Sequence, residues 1–239
     1  GLLPVVYFFR KNDSLLHFVK PVFDRCVFLK TCTNGSSELM TNLSMSLVNA
    51  LYNLQLMKIA GENGVAAYGA VMYVNFIFVA TFLGYAIGCA PVISYHYGAG
   101  NHAELKNLYK KSMSIILVWG VILFGAAQLL APVLSKIFVG YNTGLYAMTL
   151  HGFRVYAIAF LIIGINIFGS SFFTALNNGL ISAVISFLRT LVFQVIMVLT
   201  LPLWFGINGI WSAISIAEAL TLIMTTTFVV RQKDKYHYL

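Results

Sequence analysis

Charged residues are scarce in this chain. Only 9% of its 239 residues are Asp, Glu, Lys or Arg, and 59% are hydrophobic, whereas soluble domains carry about 25% charged residues. A chain with so few charges cannot use water as its main solvent. The composition therefore excludes an ordinary soluble domain and predicts that the lipid bilayer is the principal partner of this protein.

Signatures of catalysis and metal binding are also missing. The sequence has no HExxH, GxSxG, Walker-type GxxxxGK[ST] or paired-cysteine motif, and its five histidines lack ligand-like spacing. The three cysteines, Cys26, Cys32 and Cys89, are an odd number and are predicted to be free thiols. We therefore expect no enzyme, no metal site and no bound cofactor.

Long apolar runs dominate what is present. Basic residues outnumber acidic ones by 15 to 7, but they lie between these runs rather than in a patch, so we expect no nucleic-acid partner. Crossing the hydrocarbon core takes about 20 helical residues. Six runs are long enough, and they predict an all-α polytopic membrane helix bundle of about six transmembrane helices: Leu39–Ala60, Val65–Ala90, Met113–Phe138, Val155–Leu176, Leu180–Trp204 and Ile207–Val230.

The distribution of Lys and Arg predicts the orientation of the bundle. Alternate connections place 12 of these residues on one side, if Arg189 snorkels toward it, and 3 on the other. Because basic residues are retained in the cytoplasm, both chain ends are predicted to be cytoplasmic, in a multi-pass protein of the plasma membrane.

The first 35 residues differ from the rest of the chain. Gly1–Phe9 reads as the end of a hydrophobic segment already under way, followed at once by Arg10 and Lys11. We interpret residues 1–35 as the end of a preceding helix and a cytoplasmic linker at the headgroup surface, and residues 36–239 as a six-helix unit.

Polar residues within the predicted spans form two stripes. At about 100° per residue, each set falls on a single helix face. Such a stripe either lines a hydrated cavity or bonds to a neighbouring helix, and the three asparagines of the first stripe favour a cavity. The first stripe consists of Glu38, Asn42, Ser46, Asn49 and Asn53, and the second of Asn166, Ser170, Thr174 and Asn177.

Two carboxylates lie in or near the membrane zone. Glu38 is at the start of the first span, where it either couples to a cation or stabilises the helix N-terminus. Glu218 is well inside the sixth span, where it either couples to a cation or pairs with Arg189 or a backbone group. Asn75 in the second span is a further candidate for lining a cavity.

Several segments resemble the multidrug and toxic compound extrusion (MATE) family. The run Gly84–Asn101, with Pro91 and the Gly98-Ala99-Gly100 sequence, is similar to the family's G-x-x-P-x-x-x-x-x-x-G-A-G-x segment, which precedes a basic loop. Tyr156–Gly179 resembles the family's tenth helix and the turn after it. The next two helices are matched by Phe187–Arg189, Leu201–Pro202 and Gly209–Trp211.

The resemblance implies that this chain is helices seven to twelve, one lobe of a two-lobed transporter whose N-terminal six-helix lobe would be the partner. It implies export of small organic cations in exchange for sodium or protons by alternating access. Many members carry acids on the seventh helix. Asn42 stands where some relatives have Glu, which leaves Glu38 there and allows the coupling acid to lie in the other lobe.

Other functions remain open from the sequence. A lipid-linked oligosaccharide flippase of a related fold would need a more basic cavity, for which Arg154 and Arg189 are the candidates. A membrane-embedded enzyme would need acids or histidines around a common pocket. A non-transporting assembly subunit would have polar stripes that are dry helix contacts.

Overall fold

A computed structural model describes residues 6–7 and 23–238, except for the side chains of Asn34, Ser37 and Glu38. The chain divides into two compact units, Gly1–Cys32 and Thr33–Leu239. In the first unit, the Asp24 carboxylate accepts hydrogen bonds from the backbone N–H groups of Cys26 and Val27 at the start of a helix. Most of the linker predicted over residues 1–35 lies outside the described residues.

Seven α-helices and one π-helical turn make up nearly all of the described chain, which contains no strand. Three of the helices begin at an asparagine, Asn101, Asn142 or Asn178, whose side chain accepts a hydrogen bond from a backbone N–H of the first turn. The elements are α1 (Arg25–Gly98), α2 (His102–Val139), α3 (Thr143–Ala157), α4 (Phe160–Ala175), α5 (Gly179–Phe187), the π turn (Leu188–Phe193), α6 (Gln194–Phe205) and α7 (Ile207–Tyr236).

Helix α1 consists of two arms that fold back on each other at Gly61. Gly61 has a φ of 63° and a ψ of −153°, a backbone conformation that glycine adopts without a Cβ clash. In a straight helix, Tyr52 and Tyr68 would be about 24 Å apart. Instead, their rings stack with centroids 4.9 Å apart. The gap between the first two predicted spans, residues 61–64, therefore contains the turn that separates two antiparallel arms.

The helices are long and apolar enough to cross a membrane. Four described helices meet this condition, or five when α3 and α4, which bend by 48° at their junction, count as one span. One of the four is residues 39–98, which folds back at Gly61 and supplies two spans. Each of the six predicted spans therefore corresponds to a helical segment, and the predicted all-α polytopic bundle is confirmed.

Several helices extend beyond the ends of the predicted spans. Helix α1 continues through Pro91 to Gly98, α2 begins at His102 rather than Met113, and the span predicted from Val155 begins with α3 at Thr143. Hydropathy detects only the part of a helix that crosses hydrocarbon, whereas backbone hydrogen bonding continues into the polar ends. The break between α3 and α4 and the π turn were not predicted.

Helix α4 is the central helix of the bundle. It packs against α2, α5 and α7, and 11 of its 16 residues are buried. Large apolar side chains are instead exposed around the outside, including Leu129, Leu203 and Trp204, each at least 80% exposed. An apolar perimeter of this kind is stable against lipid tails and unstable against water.

One end of the bundle, which we call the terminal face, gathers two turns and the C-terminal residues. The Asn178 amide donates to the Tyr236 hydroxyl at 2.9 Å, and the His102 and His237 rings have centroids 5.0 Å apart. Beyond the last helix, the Tyr238 hydroxyl donates to the carbonyl oxygen of Val229 at 2.8 Å. Burial raises the pKa of Tyr238 above its usual value.

Candidate functional site

Glu218 forms a buried ion pair in the middle of the bundle. Its side chain on α7 is only 1% exposed, and that of Arg189 is 14% exposed. The Arg189 Nε atom donates to both carboxylate oxygens, at 2.9 Å to Oε1 and 3.1 Å to Oε2. A buried carboxylate needs such a partner because moving an unpaired charge from water into the protein costs on the order of several kcal/mol. The sequence left two roles open for Glu218, cation coupling or pairing with Arg189 or a backbone group. The structure shows the pair with Arg189.

Asn166 on α4 completes the contacts of this carboxylate. Its Nδ2 atom donates to Glu218 Oε2 at 2.7 Å and to the Glu218 carbonyl oxygen at 2.9 Å. Asn166 is fully buried, and its Oδ1 atom has no hydrogen-bond partner in the described part of the chain. The amide therefore fixes the carboxylate and retains one free acceptor.

Arg189 lies on the π turn that joins α5 to α6. A π turn widens the helix by one residue and changes the direction in which its side chains project. Because α7 packs against both the π turn and α6, Arg189 reaches Glu218 instead of the headgroup region. The predicted snorkelling of Arg189 is therefore wrong, and without it the basic residues divide 11 to 3.

The ion pair lies in the wall of a cavity of about 140 Å³. Both arms of α1, together with α3, α4, α6, α7 and the π turn, contribute to its lining. Among the described residues that line it, Glu218 is the acid and Arg189 the base, while aliphatic, methionine and tyrosine side chains supply most of the remaining wall. The cavity thus combines an apolar and aromatic surface with one balanced pair of charges.

Asparagines and tyrosines face this cavity from α1. The Tyr68 hydroxyl donates to Asn49 Oδ1 at 2.9 Å, and the ring of Tyr68 stacks on that of Tyr52. The Tyr52 hydroxyl and Asn75 Oδ1 are buried without a hydrogen-bond partner among the described residues. Unpartnered polar atoms on a cavity wall are available to a guest molecule, because a new hydrogen bond would relieve their cost of burial.

A more open groove of about 560 Å³ adjoins the cavity on α1. Asn49, Tyr68 and Asn75 line both the cavity and the groove, whereas Asn53 lines the groove but not the cavity. The two spaces therefore form one polar and aromatic surface along the face where the two arms of α1 meet.

The structure brings five of the seven candidate residues to this region. Asn49, Asn75 and Glu218 line the cavity, Asn166 holds Glu218, and Asn53 lines the groove. Asn42 is exposed, and neither the cavity nor the groove includes it. The side chain of Glu38 lies outside the described residues.

Most residues that line the cavity were not identified from the sequence, and three of them have polar side chains that matter to its chemistry. Tyr52, Tyr156 and Gln194 line it beside the predicted residues. Tyr52 lies three positions after Asn49, so the helical period could have included it in the first stripe. No comparable signal marks Tyr156 or Gln194, whose faces depend on the bend before α4 and on the π turn. No group of three or more His, Cys, Asp or Glu side chains that could hold a metal ion occurs within the described ranges.

The stripe on α4 is used for contact between helices. Ser170 and Thr174 bond to serines of α5, with the Ser170 Oγ atom 2.9 Å from that of Ser182. Asn177 instead belongs to the turn after α4 and has a φ of 58°. The sequence left open whether this stripe lines a cavity or bonds to a neighbouring helix. Ser170 and Thr174 do bond to the neighbouring helix.

Comparisons with known proteins place this architecture in one family. The MatE family model matches residues 39–200. The fold is similar to the outward-facing conformation of a multidrug resistance MATE family transporter of the MOP superfamily, with a TM-score of 0.88, 20% identity, and coverage of 100% of this chain and 54% of that chain. It is also similar to a MATE protein in complex with MaD5, with a TM-score of 0.87, 21% identity, and coverage of 100% and 53%.

A third similar structure is a MOP superfamily transporter from Pyrococcus furiosus Vc1 (DSM3638), for which a reverse polarity of the binding pocket is said to suggest a different function. Its TM-score is 0.83 at 21% identity, and the match covers 97% of this chain and 54% of that chain. None of the curated proteins matches this chain significantly.

The chain spans about half the length of these solved structures, which at this level of identity share its fold. The family model, in contrast, matches well over half of the chain, through the segments that form α1 to α6. These segments contain the asparagines, the tyrosines and the arginine of the cavity described above. This multi-pass membrane protein therefore belongs to the MATE family of transporters, which are not enzymes.

Proposed function

We propose that this chain is one lobe of a two-lobed, twelve-helix secondary antiporter that exports small organic cations in exchange for sodium ions or protons. The observation that carries the proposal is the buried Glu218 carboxylate in the wall of a cavity with aromatic and amide surfaces. Aromatic faces attract organic cations, and a buried carboxylate is the group that a coupling cation would neutralise.

The charges of the cavity provide a reason for exchange. With Glu218 ionised, its charge balances that of Arg189. When a proton binds Glu218, the guanidinium is left unbalanced and repels an organic cation nearby; a sodium ion at the carboxylate has the same effect. Coupling ion and organic cation therefore oppose each other's binding, and such reciprocal opposition is the thermodynamic basis of antiport.

The size of the cavity supports a second lobe as the missing partner. Sites for drug-sized molecules typically enclose about 300–1,000 Å³, whereas the cavity here has about 140 Å³. The adjoining groove of about 560 Å³ is open along α1. A second lobe over this groove would complete a site of the required size, so we expect this chain to show no transport by itself.

A lipid-linked oligosaccharide flippase of a related fold is the alternative. Such a transporter would need net positive charge to hold its anionic lipid, and the described part of the cavity has none because Glu218 neutralises Arg189. Arg154, the second basic candidate, is exposed and lies outside the cavity lining. The balanced charge favours the organic cation.

Efflux of a fluorescent cationic dye tests the proposal. Cells that express the complete gene would be loaded with dye, and the sodium and proton gradients would be collapsed in turn. We expect gradient-dependent efflux that Glu218→Gln abolishes and that Glu62→Gln, at an exposed turn, preserves. Confirmed membrane insertion without efflux of any tested cation would favour the flippase.

Labelling of single cysteines tests the proposed orientation in the plasma membrane. Asn101→Cys lies beside the terminal face and Tyr141→Cys at the opposite end of α2. In a cysteine-free background, a membrane-impermeant maleimide should label Tyr141→Cys in intact cells and Asn101→Cys only in inverted vesicles. The reverse pattern would place the chain ends outside the cytoplasm.

A further inference from the structure

Two polar stripes face each other across the contact between α4 and α5. On α4, the polar positions Thr174, Ser170 and Asn166 are four residues apart, and on α5 and the π turn Ser182, Ser186 and Thr190 have the same spacing. Residues four apart share a helix face. Because the two segments are antiparallel neighbours, the two stripes lie side by side. We call the four residues whose hydroxyls bond across this contact, Thr174, Ser182, Ser170 and Ser186, the hydroxyl ladder.

The hydroxyls of the ladder bond to one another. The Thr174 Oγ1 atom is 2.6 Å from Ser182 Oγ, and Ser170 Oγ is 2.9 Å from Ser182 Oγ and 2.8 Å from Ser186 Oγ. In each pair, either atom can be the donor. Four hydroxyls therefore form an unbroken chain whose direction of donation can reverse.

This arrangement differs from hydroxyls at the outside of the bundle. Thr200 and Thr227 are exposed, and each donates to the carbonyl oxygen four residues earlier in its own helix. Such bonds satisfy a hydroxyl locally and connect it to nothing else. In the ladder, Ser170 instead contacts two hydroxyls of the neighbouring helix, so the ladder is continuous where the outer hydroxyls are isolated.

The inner end of the ladder approaches the buried ion pair. Thr174, Ser170, Ser186 and Arg189 line a second cavity of about 80 Å³, which runs beside the ladder and has space for about two or three waters at roughly 30 Å³ each. Arg189 also lines the larger cavity that contains Glu218. Thr41, Leu83 and Ile167 also line both cavities, so the chain of hydroxyls ends at a space that adjoins the Glu218 cavity beside Arg189.

Asn166 gives independent evidence that this end has an unfilled polar partner. It is one turn beyond Ser170 on the same stripe, fully buried, and donates to Glu218 Oε2 at 2.7 Å. Its Oδ1 atom is without a partner within the described chain. A buried acceptor of this kind calls for a donor such as water or a protonated group.

The outer end of the ladder reaches toward the terminal face. Thr174 is part-buried and lies one turn before the Asn177–Gly179 connection, where Asn178 meets Tyr236. From Thr174 to Asn166 the helix rises about 12 Å, at about 1.5 Å for each of eight residues. Because Asn166 bonds to Glu218, this rise is the separation along α4 between Thr174 and the level of Glu218.

We propose that the hydroxyl ladder is a proton path between the terminal face and Glu218, an inference that rests on the proposed exchange function. A hydronium ion at the outer end gives a proton to the Thr174 oxygen, which releases its own proton to Ser182. The same transfer passes through Ser170 and Ser186 to water beside Arg189 and then to the Glu218 carboxylate. Each hydroxyl gains one proton and loses one, so the hydronium becomes water and the carboxylate becomes a carboxylic acid.

Arg189 marks the inner end of this path. A guanidinium stays protonated and does not relay protons, and its positive charge opposes any cation, an excess proton included. The last transfer to Glu218 therefore goes through water beside Arg189, where the two cavities adjoin. The titratable groups around Glu218 are Arg189 from the π turn, Tyr52 and Tyr68 from α1, and Tyr156 from α3, so Glu218 is the acid that receives the proton.

A dry packing role for these hydroxyls makes a different prediction. Serine and threonine hydroxyls stabilise contacts between membrane helices. If packing were their whole role, loss of one hydroxyl would alter stability and leave proton-driven and proton-independent transport in the same ratio. A proton path instead requires that proton-driven transport falls alone.

The experiment compares Thr174→Val with Thr174→Ser in the complete protein in liposomes. Valine keeps the shape of threonine without the hydroxyl, serine keeps the hydroxyl, and Thr200→Val is the control at an exposed site. Ser182→Ala tests the centre of the chain. For each variant we would measure binding of a cationic dye, dye counterflow without a gradient, and dye transport driven by an imposed pH gradient.

We expect Thr174→Val and Ser182→Ala to lower proton-driven transport at least tenfold, with binding and counterflow within twofold of wild type. Thr174→Ser and Thr200→Val should retain the wild-type rate. Equal loss of counterflow and proton-driven transport, or no loss at all, would overturn the proton path. Transport by the wild type under a sodium gradient alone would also overturn it while leaving the exchange function intact, whereas no transport under any gradient would remove both.

Discussion

Neutralising Glu218 should leave Arg189 as an unpaired charge inside the bundle. Glutamine in place of Glu218 keeps nearly the same volume and can still accept one hydrogen bond, but it removes the negative charge that faces the guanidinium at 2.9 Å and 3.1 Å. Both side chains are largely buried, so water screens the remaining charge poorly. Removal of one partner of a buried pair costs about 3–5 kcal/mol, and we expect Glu218→Gln to lose stability in this range.

The double variant Glu218→Gln/Arg189→Met should recover most of this loss. Replacement of both charges leaves no unbalanced ion, and apolar replacements of buried pairs are often neutral in stability. Arg189→Met alone should also be costly because it leaves the carboxylate with Asn166 as its remaining partner in the described structure. The two mutations should therefore show a coupling energy of at least about 2 kcal/mol.

Equilibrium unfolding by SDS in mixed micelles would measure these free energies on the complete protein. Glu62→Gln, which removes an exposed carboxylate, is the matched control and should change stability by less than about 0.5 kcal/mol. Additive losses from the two single variants would refute the reasoning, because they would mean that Arg189 and Glu218 contribute independently.

Two further predictions follow from the cavity and from helix packing. Asn75→Ala should weaken dye binding about three- to tenfold, which corresponds to the loss of one net hydrogen bond. Asn42→Ala, outside the cavity, should leave binding unchanged. Equal effects of the two variants in equilibrium dye titrations would contradict the assignment of Asn75 to the site. Gly152→Ala should cost about 1–3 kcal/mol because its added Cβ would press on the indole of Trp211. Gly125→Ala, which has open space, should be tolerated, and equal unfolding midpoints for these two variants would contradict the packing.

Much of the fold could be predicted because apolar runs and turns are local properties. Gly61 and the asparagines that begin α2, α3 and α5 lie in turns that the sequence marks. The π turn at Arg189 was not visible, since its sequence contains no glycine or proline and fits a continuous helix. The orientation of Arg189 was therefore predicted wrongly, although Glu218 was recognised as its possible partner.

The candidate site was predictable to the extent that helical periodicity defines a face. Asn49 and Asn53 belong to a stripe that does face the cavity or its groove. Periodicity alone does not show where along the helix the cavity ends, so Asn42 was included although the structure leaves it outside. The contacts of Ser182 and Ser186 with α4 depend on which helices become neighbours, and the sequence of one helix contains no such information.

Binding of a cationic dye to the purified complete protein as a function of pH tests the central claim most directly. If a proton on Glu218 opposes the organic cation, dye affinity should rise with pH by up to about tenfold per unit, the limit for exchange of one proton. In Glu218→Gln the affinity should be low and independent of pH, because Arg189 is then permanently unbalanced. The same dependence on pH in wild type and Glu218→Gln would contradict the account, since the proton would then be bound elsewhere.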